Sequence, residues 1–196
     1  MTNTKAVHYQ EPAISKFLFA SPYLAPLWLV LRIWLGWQWL SSGWGKVQNP
    51  AWVGENAGVA VTGYLQGALA RAGGEAPSVS GWYAWMVETM FLPNATLMSY
   101  AVAFGEVLVG ITLILGLLTG LSAFFGGFMN VSFLLAGTLS SNPVMFMVAT
   151  WIVLGWRIAG YWGLDYWILP IVGAPRKTVD NDTEPPVPRR SQASLS

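Results

Sequence analysis

Four apolar stretches, each broken by a strong polar residue, organise the chain. The first runs from Leu24 to Leu40 and is interrupted by Arg32. The second, "LMSYAVAFGEVLVGITLILGLL" (97 to 118), has Glu106 as its single charge. The third, 120 to 139, carries Asn130, and the fourth, from Pro143 to Gly163, carries Arg157. At about 1.5 Å per helical residue and a hydrocarbon layer about 30 Å thick, each stretch, with its interfacial flanks, is predicted to span a bilayer. Short connections make the last three antiparallel neighbours. The predicted fold class is therefore an all-α membrane protein, an up-and-down bundle of four transmembrane helices.

The long connection, 41 to 96, has a pattern of its own. Between Val53 and Ala72 apolar residues recur at helical spacing, and Trp52, Trp82 and Trp85 flank the run. That is the signature of an interfacial amphipathic helix, and one or two such helices are predicted to roof the bundle. The domain reading is an N-terminal cytoplasmic segment (1–23), a membrane domain (24–172, outer loop 41–96), and a polar, proline-rich C-terminal tail (173–196) predicted to be disordered.

Composition agrees with a membrane class: 54% of residues are hydrophobic and 10% charged, where soluble domains carry about a quarter charged. A net charge of +1 without a basic stripe argues against nucleic-acid binding. The chain has no cysteine and one histidine, His8, in its polar N-terminal segment. Iron–sulfur clusters, thiolate metal sites, redox disulfides and haem held between two membrane histidines are thereby excluded, and no metal is expected. An electron carrier here would be a diffusible quinone, a flavin or a partner's cofactor.

Lysine and arginine flank the outer ends of the predicted bundle: Lys5 and Lys16 precede it, and Arg176, Lys177, Arg189 and Arg190 follow. With an even number of spans, both termini are predicted to be cytoplasmic, in a multi-pass protein of the plasma membrane. The first apolar run has no small-residue cleavage pattern behind it and reads as an uncleaved anchor.

Tracing the 3.6-residue face through each polar interruption finds small residues. Glu106 shares its face with Ser99, Ala103 and Gly110, and Arg32 with Ala25, Gly36 and Gly43. Asn130 lies with Ala123, Gly126 and Gly127, and Arg157 with Thr150 and Gly160. Small residues mark close helix approaches in membranes, so these polar groups are expected to face inward. Arg32 and Glu106 are expected to form a central ion pair with Asn130 as hydrogen-bond partner, and Arg157 a shallower pair with Asp165. Such a cluster is either polar glue that fixes helix register or a proton-accepting site for a hydrogen-bonding ligand, with Trp37 and Trp39 as an apolar wall.

"LRIWLGWQWLSSGWGKV" (31 to 47), "FGEVLVGITLILGLLT" (104 to 119), "GGFMNVSFLLAG" (126 to 137) and "GLDYWILP" (163 to 170) resemble the DoxX/DoxD family, more closely its DoxD branch. The resemblance implies a four-helix membrane subunit with Arg32, Lys46, Glu106 and Asp165 on the family's recurrent polar positions. It also implies a thiosulfate:quinone oxidoreductase activity, thiosulfate passing to tetrathionate and electrons to a membrane quinone, shared with a second, smaller, DoxA-like subunit. On that reading Glu106 and Arg32 are the catalytic candidates, and Asn130, Lys46, Arg157, Asp165, Trp37 and Trp39 would bind quinone or donor. A non-catalytic scaffold of a membrane complex and a small transporter are the alternatives.

Overall fold

The computed structural model describes residues 12–172, and all regular structure among them is helical. The predicted disordered tail and the segment carrying His8 lie outside the described residues. Four long helices match the four apolar stretches: α2 (Ala25–Val47), α5 (Ala95–Leu115), α6 (Thr119–Leu135) and α7 (Asn142–Leu154). Around them sit α1 (Ala13–Ala20), α3 (Val59–Ala70), α4 (Gly81–Met86), α8 (Trp156–Ala159) and α9 (Asp165–Ile171). Thus part of the segment assigned to 1–23 is helical, and α1 packs near the Gly155 break, where Phe19 meets the Trp28 ring.

Helices α2 and α5 run antiparallel in intimate contact. A Cβ on Gly43 would overlap Glu106 and Val107, one on Gly110 would overlap the Leu40 backbone, and one on Gly36 would press on Ile114. These are the small residues that the face tracing picked out, and they bring the two backbones close enough to exclude any side chain. The core beneath is apolar: Leu35, Leu113 and Ile152 are wholly buried beside Trp28, Trp39 and Ala123.

Turn chemistry sets the helix ends. Gly116, at φ +66°, closes α5: its N–H donates to Leu113 and that of Leu117 to Thr112, the paired bonds of a Schellman motif. Gly137, at φ +76°, ends α6 the same way. Helix α4 runs into α5 through a π turn (Val87–Phe91) and a 3-10 turn (Leu92–Asn94), where Pro93 cannot continue an α-helical ladder.

Three boundaries differ from the sequence pattern. Helix α2 continues seven residues past Leu40, so Lys46 stands on its last turn rather than in a loop. The amphipathic run begins at Val59 instead of Val53, because Gly54 and Gly58 take positive φ angles in the preceding turns. The fourth stretch is not one helix: Gly155 lies against the Trp28 and Phe19 rings and breaks it. The connection between α2 and α5 forms a helical roof, in which α3, α4 and the π turn pack Val61, Leu65, Tyr83 and Val87 onto Ala95 and Ala136.

Large apolar side chains face outward on all four long helices, including Val30 and Trp37 on α2, Phe104 and Leu108 on α5, Phe124 and Phe128 on α6, and Met147 and Trp151 on α7. A soluble protein does not present apolar surface on this scale to water. By length and hydropathy one helical run, Gly81–Leu115, suffices to cross a membrane, and α1 with the segment Pro22–Val47 does so as a pair bent by 47°. Helices α6 and α7 are apolar but shorter, so length alone does not establish four crossings.

Candidate functional site

The register of α2 against α5 decides what faces Glu106. Gly43 lies opposite it, and Lys46, less than one turn further along, reaches back. Lys46 Nζ donates to Glu106 Oε2 at 2.7 Å and to Ser42 Oγ at 2.7 Å, and lies 5.1 Å from the centre of the Trp52 ring. The Glu106 side chain is 1% exposed and that of Lys46 19%, so the carboxylate is almost wholly buried while the ammonium reaches the bundle's edge.

The expected Arg32–Glu106 pair is therefore absent. Arg32 is eleven residues from Gly43 on α2, about 16 Å along the axis, at the far end of α5. There its Nη2 donates to the Trp162 carbonyl at 3.0 Å, and its guanidinium fills the space left by Gly116 and Gly163. Asp165 does not pair with Arg157 either. Its carboxylate accepts the backbone N–H groups of Leu118 (2.6 Å) and Thr119 (2.8 Å), capping α6, while its own N–H donates to the Gly116 carbonyl at 2.8 Å. Because the chain breaks at Gly155, Arg157 turns outward and its guanidinium lies 5.1 Å from the Trp156 ring centre. Asn130 is fully buried on α6, yet it makes no hydrogen bond to Glu106, and both its amide atoms lack a partner within the protein.

A cavity of about 520 Å³ opens beside the Lys46–Glu106 pair, between α2, the roof and the start of α7. Its walls are Trp39, Trp52, Tyr64, Phe133 and Met145, and Gln38, Ser41, Ser42, Thr138, Ser140, Ser141 and Asn142 supply polar groups. Its size and make-up suit a small organic ligand. Trp39 is buried and lines it, whereas Trp37 is 60% exposed on the opposite face of α2 and takes no part. Tyr64 accepts a hydrogen bond from Thr138 Oγ1 at 3.0 Å; burial holds its phenol above the ordinary range, partly offset by that bond and by the charge of Arg71. Arg71 itself is committed, its Nε and Nη2 donating to the Ala136 carbonyl at the end of α6.

Of the anticipated residues the structure thus brings together Glu106, Lys46 and Trp39 at the cavity and sets Arg32 and Asp165 at the other end. The cavity's remaining lining was not anticipated. One signal for the Lys46 partnership was present: Arg32, Gly36, Trp39, Gly43 and Lys46 fall on one continuous helical face. Among the described residues no three His, Cys, Asp or Glu side chains converge as a metal site would require.

A fold that is all-helical over the described residues, with outward apolar faces and a buried ion pair, is of membrane-protein type. The DoxX family model matches residues 27–138, more than half of the sequence and nearly all of α2 through α6. The chain belongs to the DoxX family, whose members are membrane-associated. No curated protein and no solved structure matches it.

Proposed function

We propose that this protein is the quinone-reactive subunit of a membrane oxidoreductase. The observation that carries the reading is the Lys46–Glu106 pair beside an aromatic-walled cavity: a buried carboxylate within reach of a ligand is the group that quinone reduction needs for its protons. In this reading α2, α5, α6 and α7 cross the plasma membrane, supported by the outward apolar faces of all four, with both termini cytoplasmic and the roof outside. Thiosulfate is the donor that the DoxD-like motifs favour, with tetrathionate as product and a smaller DoxA-like subunit as partner. Two electrons and two protons then convert the quinone to quinol.

The test is thiosulfate-dependent reduction of a short-chain quinone by the complex purified with its native partners, wild type beside Glu106→Gln. The expected outcome is turnover at least ~100-fold lower in an equally folded variant, the scale of a lost proton-transfer group. Undiminished turnover would remove Glu106 from the chemistry. A complex that assembles with its partners and reduces no quinone would favour the scaffold reading.

A further inference from the structure

The charges at the cavity cancel. Among the described residues Lys46 and Glu106 are the only charged groups lining it, and they are spent on each other at 2.7 Å. The other cation of the roof connection near this end, Arg71, has its guanidinium on the Ala136 carbonyl. What remains for a ligand is neutral: the Ser140 hydroxyl, the oxygens of Ser41 and Ser141 as acceptors, their O–H groups being given to the Gln38 carbonyl and Met145 Sδ, the Gln38 amide, and ring faces. An anion placed there would have to compete with Glu106 for Lys46, and it would meet the field of a buried carboxylate in a medium that screens poorly.

We infer that the cavity admits an uncharged ligand and rejects anions, with Glu106 as the rejecting group. This rests on the quinone-linked reading and deepens it: quinone and an oxyanion donor such as thiosulfate use separate sites, and the donor's site lies outside this cavity. The donor's oxidation, two thiosulfates joining through a new S–S bond with release of two electrons, then takes place away from Glu106. The two electrons it releases are those that reduce the quinone to quinol.

Charge accounting makes the claim testable without turnover. Glu106→Gln keeps the shape of the side chain and leaves Lys46 unpaired, so the variant should acquire the anion site that the wild type lacks. Labelled thiosulfate is equilibrated with the full chain in nanodiscs, with empty nanodiscs as blank. Wild type should bind none at millimolar concentration, Glu106→Gln should bind it, and Glu106→Gln with Lys46→Met should bind none again. In the same nanodiscs, ~10 mM thiosulfate should leave the affinity of wild type for a short-chain quinone unchanged. It should lower that of Glu106→Gln by about tenfold, as a competitor with a millimolar dissociation constant would. Thiosulfate binding by the wild type that displaces quinone, or no anion binding by a folded Glu106→Gln chain, would overturn the inference. Absence of quinone binding in the wild type, with the anion pattern intact, would instead overturn the quinone reading and leave the anion gate standing.

Discussion

The two ends of the bundle each bury an acid near a base from α2, and they use them in opposite ways. At the roof end Lys46 and Glu106 meet directly beside a cavity. At the other end Asp165 is consumed by the backbone of the α5–α6 turn, and Arg32 gives one nitrogen, Nη2, to the Trp162 carbonyl, its buried Nε and Nη1 making no hydrogen bond within the protein and glycines 116 and 163 pressed against the guanidinium. Side-chain charge that faces side-chain charge next to open space is available to a ligand. Charge that terminates on backbone groups is structural: it ties α2, the α5–α6 turn and α9 into one unit. Leu35, Leu113 and Ile152, all fully buried, form part of the apolar core of the bundle.

If the far end is structural, its variants should fail in folding before they fail in function. Asp165→Ala removes the acceptor of two backbone N–H groups and should cost about 3–5 kcal/mol, two charge-assisted bonds' worth, seen as a large fall in unfolding temperature in nanodiscs. A variant as stable as wild type would show that the clasp does not hold the turn. Lys46→Met should cost less, about 1–3 kcal/mol, because Lys46 is partly exposed and the pair is not fully desolvated; folded protein should be recovered with quinone turnover lost. Smallest is Arg157→Gln, at most about 0.5 kcal/mol with turnover unchanged, since its guanidinium is exposed over a ring and holds no buried group. A strong effect there would mean that the break at Gly155 has been misplaced in function.

Much of this contrast was readable from the pattern of residues. The apolar stretches located α2, α5 and α6, the roof helix followed from its periodicity, and the small residues Gly36, Gly43 and Gly110 marked the α2–α5 contact. Glu106 does face inward. Its partner was not legible from depth within each stretch, because pairing depends on the register of two antiparallel helices. That register is set by where α2 ends and how the chain returns through the roof. Ending the first helix at Leu40 put Lys46 in a loop and left Arg32 as the base at the depth of Glu106, with Arg157 shallower. Asp165 was mispaired for a related reason. Its role appears only once Gly155 breaks the fourth stretch and the following segment folds back on the end of α5.

The most direct test of the Lys46–Glu106 pairing is a charge exchange, Lys46→Glu together with Glu106→Lys, compared with each reversal alone by unfolding temperature in nanodiscs. The pairing described here predicts that each single reversal is strongly destabilised and that the double exchange recovers most of the loss. A double exchange no more stable than its parents would contradict it, and with it the claim that this pair, rather than Arg32 and Glu106, is the ionic centre of the site.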